Sequence, residues 1–473
     1  MTLTKEKLTE YTPFILFAIA LLVFIILKIP HIGLPFFWDE SGVYGKIIFQ
    51  LADNKLSLHP SAIDQWDSRG HPLLYPNLIA IACKIFGESV TVAHAANFLI
   101  ACGLVISMFL HVGRAFHYWA GLVAGVALMS MPLFFTQSVF ALPEVALAFT
   151  LWWSSWAFIR KKYVHYFLFG SAAMMIKEPA IVWIACLFGW SVLFERIAIW
   201  KKLLWLTPLI PFGIFLLVQK QTFGWYLFPF HTGSFDFTTS VMLTKFSNFM
   251  KYLFWDQARI IWLIFILIGG VLYWRQNKTH NRNDVARIGY GAVLLAAFIF
   301  ILFSSTIFYQ ERYIIPSIMI VCSVLGVLTY KGLTQKNPLL AIPILIVLIA
   351  SPIPFMSSNK FVYDNDMSYI RSIEVSKKTI KYMLERGMLN DGEFSATMPV
   401  VYVTPDPRFG YLPKDTLGRH HRIVHAGTKY VVQTIPGTMI ENPDQFPLDT
   451  IVKWQDGDIR TIIYKVAPKD SIE

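Results

Sequence analysis

Residues 36–76 read FFWDESGVYGKIIFQLADNKLSLHPSAIDQWDSRGHPLLYP, and this is the first long polar stretch after an apolar opening. It gathers Asp39, Glu40, Asp53, Asp64 and Asp67 with Lys46, Arg69, His59 and His71. Most of the surrounding chain is apolar enough for a bilayer. Carboxylates beside a bilayer are costly, so they mark function by default. The adjacent pair Asp39-Glu40, just after an apolar segment, is the leading candidate. The plain alternative is an outer loop that is merely wet and charged.

Working outward, the chain of 473 residues is 55% hydrophobic and 16% aromatic but only 15% charged, with a mean hydropathy of +0.51. Soluble domains carry about a quarter charged residues. This composition excludes an ordinary soluble protein and indicates a polytopic α-helical membrane protein. The net charge of +11 does not gather on one domain. It sits in short loops, at Arg160-Lys161-Lys162, at Arg196 with Lys201-Lys202, and between Arg275 and Arg287. That is the pattern of cytoplasmic loops, and it excludes nucleic acid as a partner. The four cysteines, Cys83, Cys102, Cys186 and Cys322, lie in apolar runs without CxxC spacing, which suggests neither disulfides nor zinc.

Thr12–Ile29 reads as an uncleaved first span with its N-terminus in the cytoplasm and Lys28 snorkelling to the far interface. The loop 30–91 is then outside. Within it, Val43–Leu56 and Leu73–Phe86 have helical amphipathic spacing and suit helices on the membrane surface. Further spans follow at Val92–Leu110, Trp119–Leu133, Glu144–Ile159, Val164–Ile176, Ile181–Leu193 and Leu203–Val218. An aromatic outer loop covers Gln219–Gln257. The remaining spans are Ile260–Trp274, Ile288–Phe308, Tyr313–Tyr330 and Leu339–Met356. This gives about eleven spans of bilayer-crossing character, with each basic cluster on the cytoplasmic side.

Residues 1–356 thus form a transmembrane unit and 357–473 a small extracytoplasmic α/β domain. In the latter, Ser368–Met388 reads as a helix. Pro399–Thr404, Tyr430–Ile435, Ile451–Gln455 and Thr461–Val466 read as strands, with a turn at Asp456-Gly457-Asp458.

This topology collects the unusual charges at the outer face: Asp39, Glu40, Arg69 and His71, then Glu144, Lys177-Glu178 and Glu311-Arg312. A carboxylate there can deprotonate an acceptor hydroxyl, and cations can hold a lipid phosphate as leaving group. Each residue also has a plainer reading. Glu144 after Pro143 suits a helix N-terminus. Lys177-Glu178 can form a local ion pair, Arg312-Tyr313 can anchor at the interface, and His71-Pro72 can be a turn. His59, His94, His111, His231 and His420-His421 lack metal-ligand spacing with acids, so no metal is assigned and any cofactor is left open.

In order, Trp38-Asp39-Glu40, Gly70-His71-Pro72-Leu73-Leu74-Tyr75, Leu142-Pro143-Glu144, Lys177-Glu178-Pro179 and Glu311-Arg312-Tyr313 resemble the polyprenyl-phosphate-sugar-dependent glycosyltransferases of the GT-C fold. The resemblance covers most of 30–320 and points to the protein O-mannosyltransferase and aminoarabinose transferase group. Phe223–Pro229 is similar to that family's Gly-x-x-x-x-Pro stretch. His71-Pro72-Leu73 replaces its double proline, and Glu144 stands where Asp is commoner.

The resemblance implies a transferase of the cell (inner) membrane. It would move a sugar from a polyprenyl-phosphate donor to a glycan, lipid or protein hydroxyl, with inversion. Asp39, Glu40 and Glu144 are the implied catalytic acids. Lys177, Arg312, His71, Arg69 and Tyr313 are the implied substrate contacts. A flippase for a polar lipid is the main alternative; it predicts mid-membrane charges and a repeat between halves. A structural or assembly protein is a third, and would tolerate loss of Asp39.

Overall fold

The computed structural model describes residues 5–276, 285–389, 394–413, 420–421, 428–436 and 448–466. Helices dominate as far as residue 350. In chain order they are α1 (Lys5–Ile32), α2 (Gly45–Asp53), α3 (Leu74–Phe86), α4 (Val90–Ala115), α5 (Tyr118–Ser130), α6 (Pro143–Ile159), α7 (Tyr163–Ile176) and α8 (Ala180–Phe194). Then come α9 (Leu209–Phe223), α10 (Thr239–Phe254), α11 (Arg259–Gln276), α12 (Val285–Ser304), α13 (Ile315–Leu328) and α14 (Ala341–Ala350).

Every sequence-predicted span falls on a helix. Among the described residues five helices are long and apolar enough to cross a membrane alone, or six if the bent Ile199–Leu206 and Leu209–Phe223 pair is one span. The predicted spans Trp119–Leu133, Val164–Ile176, Ile181–Leu193 and Leu203–Val218 lie on α5, α7, α8 and α9, helices of 13 to 15 residues. At 1.5 Å per residue these reach only roughly 20–23 Å.

Burial explains the arrangement. Trp119 through Ser130 of α5 are all buried, so this helix is central. Helix α1 is peripheral: Ile15, Ile19, Leu22 and Ile26 form an exposed apolar stripe, while Phe17 and Phe24 turn inward. Phe17 stacks on Phe109 at 4.1 Å between ring centroids. Ile210, Ile214 and Leu217 on α9, and Ile264, Leu267 and Val271 on α11, continue the exposed apolar belt. Such a belt in water would drive aggregation, and in a bilayer it is the solvent-matched surface.

Several local expectations change. Helix α5 stops at Ser130, short of Leu133, because Pro132 pushes Met131 into extended backbone (φ −73°, ψ 122°). A new turn then runs over Pro132–Gln137. The outer loop 219–257 contains the unforeseen helix α10, although Phe246, Phe249, Met250 and Leu253 carry its i, i+3, i+4, i+7 signal. Lys28 does not snorkel. It is fully buried, its ammonium 4.2 Å from the Phe135 ring centroid and 3.9 Å from Met367 Sδ, because the later segment 357–368 covers the end of α1.

After residue 356 the fold is α/β: helix α15 (Tyr369–Glu385) with strands β1 (Phe394–Ala396), β2 (His420–His421), β3 (Tyr430–Ile435), β4 (Leu448–Asp456) and β5 (Ile459–Val466). The sheet order is β2-β1-β3-β5-β4. Strand β1 is parallel to both neighbours, and β3, β5 and β4 are antiparallel. The predicted strand Pro399–Thr404 is instead one helical turn, Val400–Val403. Three of its residues are buried, and a short, fully apolar run has no period by which strand and helix can be told apart.

This segment seats on the first loop. Phe36 N–H donates to Phe409 O at 3.0 Å. Arg408 reaches Asp53 at 2.8 Å, Glu88 at 2.5 Å and Asp406 at 2.8 Å. Residues 30–91 and the C-terminal segment therefore share one end of the helix bundle. Arg160–Lys162 lies at the other end of α6, a 17-residue helix about 25 Å long.

Candidate active site

The loop that carries Asp39 is wound unusually. Trp38 has φ 53°, a left-handed conformation that side chains rarely adopt and that often marks functional backbone. A π-helical turn, Glu40–Tyr44, follows with Asp39 at its N-cap. Gly45 must be glycine here: a Cβ would lie 2.6 Å from the Phe36 ring and 2.7 Å from Glu40 O.

Glu40 locks this turn in place. It is fully buried. Its Oε1 accepts from Ala141 N at 2.6 Å and lies 2.9 Å from His94 Nε2. Its Oε2 accepts from Phe37 N at 3.0 Å. His94 Nδ1 faces Ile32 O at 3.0 Å. A carbonyl only accepts, so Nδ1 carries a proton, and the Nε2–Oε1 contact shares a proton between ring and carboxyl. Glu40 is thus a strut joining the Asp39 turn, helix α4 and the chain entering α6. It does not face the open site, as a directly acting carboxylate would.

Asp39 does. Its side chain is 24% exposed, with Oδ2 bonded to Arg312 Nη2. Oδ1 takes no hydrogen bond from the described residues. Buried Arg312 also bonds Asp364 through Nη1, and its Nε lies 3.4 Å from Glu144 Oε1. Glu144 Oε1 accepts from Lys177 Nζ at 2.7 Å. The Lys177 ammonium sits 4.2 Å from the Tyr313 ring centroid. One connected chain of charge therefore runs Asp364–Arg312–Asp39 and Arg312–Glu144–Lys177.

A second cluster lies beside it. His71 Nδ1 contacts both oxygens of Glu178, at 3.0 and 3.1 Å, and its ring is 4.8 Å from that of His231. Desolvation would raise the Glu178 carboxyl, but His71, by charge and hydrogen bond, holds it below its usual range. Burial, then the charge of His71, lowers His231 to about 4. Arg69 closes a short helical turn at φ 50°. It has no acid partner among the described residues, yet its charge acts on His231. Gly70, at φ 71°, lets this turn press against Trp225, where a Cβ would meet the ring at 2.8 Å. Tyr44, also within the site, stacks on His71 at 6.4 Å. Burial and the nearby Glu144 and Glu178 raise its hydroxyl well above the usual range.

The structure thus brings together Asp39, Glu144, Lys177, Arg312 and Tyr313, with His71 and Arg69 alongside. Sequence reasoning missed Asp364, His94, His231 and Tyr44. His94 and Asn97, three apart inside an apolar helix, were a readable polar stripe. Asp364, within VYDNDMS, carries no periodic or motif signal. Among the described residues, no three His, Cys, Asp or Glu side chains converge as a metal site requires.

Residues 70–219, which include His71, Glu144, Lys177 and Glu178, match the dolichyl-phosphate-mannose-protein mannosyltransferase family. No curated protein matches the chain in sequence. In three dimensions the chain is similar to ArnT from Cupriavidus metallidurans bound to undecaprenyl phosphate, at 13% identity and a TM-score of 0.56, over 96% of this chain and 98% of that one. The apo form of the same protein gives 12% identity and a TM-score of 0.52, over 95% and 97%. The mycobacterial arabinofuranosyltransferase AftD is a looser likeness, at 11% identity and a TM-score of 0.47, over 96% of this chain and 40% of that one. The chain thus has the GT-C fold of these membrane glycosyltransferases, and the family match covers residues 70–219, about a third of it.

Proposed function

We propose that the chain transfers a sugar from a polyprenyl-phosphate donor to a hydroxyl of a glycan, lipid or protein, with inversion. The reaction runs at the bundle end that carries the first loop. That end faces away from the cytoplasm, the N-terminus lies inside, and the membrane is the inner one. The match to mannosyltransferases using a dolichyl-phosphate donor and the likeness to a protein that holds undecaprenyl phosphate support this donor class.

The observation that carries the chemistry is the pairing of a half-committed carboxylate with a half-committed ammonium. Asp39 has one oxygen fixed by Arg312 and the other open. Lys177 gives one N–H to Glu144 and has two more to offer. In the proposed step Asp39 takes the acceptor proton while the acceptor oxygen bonds to the anomeric carbon. The bond from that carbon to the phosphate oxygen breaks, and its electron pair leaves with the phosphate. Lys177, with Arg69 and His71 nearby, stabilises that charge. Tyr313 supports the Lys177 ammonium through its ring face.

Arg312 takes a different role from the one expected. Asp39 and Asp364 each accept from one terminal nitrogen of its guanidinium, so in this reading it organises the carboxylates first and leaves the phosphate mainly to Lys177. Glu40 and Glu144 position the reacting groups. The transport reading is disfavoured, since these acids gather at one end of the bundle.

The test sets donor binding against turnover. Asp39→Asn should keep donor binding and lose about 100- to 10,000-fold in transfer, as expected for removal of a general base. Lys177→Ala should weaken donor binding, because a charge-assisted contact disappears. Near wild-type turnover in Asp39→Asn would remove Asp39 as the base and leave Glu144 as the candidate.

A further inference from the structure

At the end of the bundle remote from Asp39 there is a cavity of about 290 Å³ between α4, α6, α12 and α13. Its walls include Val112, Trp152, Trp156, Tyr290 and Val324. The wall is almost wholly apolar. Leu294, 47% exposed, borders it and opens it sideways toward the lipid-facing surface. A well-packed interior leaves few voids of this size, and an apolar void that opens onto lipid will be filled by hydrocarbon, since water finds no partners there.

The mouth is not apolar. Arg160, at the end of α6, places its guanidinium 4.7 Å from the centroid of the Trp156 ring. Arg114 ends α4. Both arginines are exposed, and neither has a carboxylate partner among the described residues. Both act electrostatically on His111, whose ring stacks on Trp156 at 4.3 Å. An apolar slot beside two cations that have no acid partner among the described residues matches one chemistry: a hydrocarbon chain joined to a phosphate.

We propose that this cavity holds an acyl chain of an anionic membrane phospholipid, with the headgroup phosphate against Arg160 and Arg114. The phospholipid, and not the tail of a polyprenyl donor, is the occupant the arginines specify. The far end of a polyprenyl tail carries no charge, and the donor phosphate is assigned about one helix length away, at Lys177. The site therefore ties occupancy to the lipid composition of the membrane leaflet around Arg160. The exclusion of the donor tail rests on the donor assignment above; the apolar slot and the two arginines do not.

Native mass spectrometry of the full-length protein, titrated with phosphatidylglycerol or phosphatidylcholine, tests this. The wild type should retain phosphatidylglycerol preferentially. Arg114→Gln and Arg160→Gln should each reduce that preference about 5-fold, the usual effect of a basic residue at an anionic lipid surface. Val324→Trp, which fills the slot, should abolish tight retention of either lipid; Ser323→Leu is the milder version if the larger side chain prevents folding. Equal retention of both lipids by the wild type would overturn the proposal. So would unchanged retention in the filled variants. Retention that ignores both arginines but is displaced by undecaprenyl phosphate would also overturn it, by assigning the slot to the donor tail.

Discussion

Removing the Glu40 strut should damage the enzyme without touching the reacting atoms. The Glu40 carboxylate serves Ala141 N, Phe37 N and His94 Nε2, all buried. Glu40→Ala would orphan all three. A buried polar group left unsatisfied costs about 1–3 kcal/mol, so the expected loss is several kcal/mol, less any share that water recovers. Glu40→Gln keeps one carbonyl oxygen for Ala141 N and His94 but turns an N–H toward the Phe37 N–H. It should cost about 1–3 kcal/mol for that one clash of donors. The readouts are the thermal midpoint in detergent and the rate of transfer. Activity should fall in step with stability across the two variants, because Asp39 is the next residue and loses its position when the turn loosens. In a double-mutant cycle with His94→Ala, the two losses should be strongly non-additive. If Glu40→Ala keeps the wild-type midpoint and rate, the strut is an accident of packing and the reasoning fails. If it keeps the midpoint but loses all activity, Glu40 acts in chemistry and not through position.

Three shorter predictions follow. Cysteines placed at Lys162 and Lys381, both exposed, should react from opposite sides of the membrane, with 381 on the outside; labelling of 162 from outside would reverse the proposed orientation. His231 is lowered to about 4 mainly by burial, with His71 adding to it, so the folded state resists a proton that the unfolded chain accepts near 6.5. Stability should therefore fall as pH drops from about 6.5 to about 4, and His231→Gln should flatten that window in thermal melts recorded against pH. Asp364→Asn should slow transfer, because Arg312 loses one of the two carboxylates that hold its guanidinium in place beside Asp39; an unchanged rate would uncouple Asp364 from the site.

How far the sequence could be read depends on the physical signal at each place. The spans were legible because lipid demands a long apolar run, and that demand is written residue by residue. Asp39, Glu144, Lys177 and Arg312 were legible because a charge at a membrane boundary is expensive and therefore rare. Asp364 was not legible. It lies in an ordinary polar segment and gains its meaning only when 357–368 folds back over the end of α1. Lys28 misled for the same reason: a lysine near a span end normally reaches water, and here the returning segment buries it under Met367. Glu40 carried the motif, but its complete burial was not legible, since adjacent residues on a tight turn point to different surroundings. The one-turn Val400–Val403 helix was illegible because four apolar residues carry no period.

In the proposed reaction the charge arrangement must hold Asp39 and still leave it an oxygen for the acceptor proton. An Arg312 committed to Asp39 alone could take both of its oxygens. Arg312, however, is shared. It bonds Asp364, flanks Glu144 and bonds only one oxygen of Asp39. Three carboxylates thus face two cations, Arg312 and Lys177, and Lys177 is already engaged with Glu144. The cluster carries an excess negative charge that a proton from the acceptor can neutralise. In the proposed reaction the departing phosphate has on its side of the site Lys177 and Arg69, which has no acid partner among the described residues. The acid-rich half therefore favours taking a proton, and the base-rich half favours receiving an anion. Those are the two charge movements that glycosyl transfer from a lipid phosphate requires, and the Glu40–His94 strut holds the turn that carries Asp39.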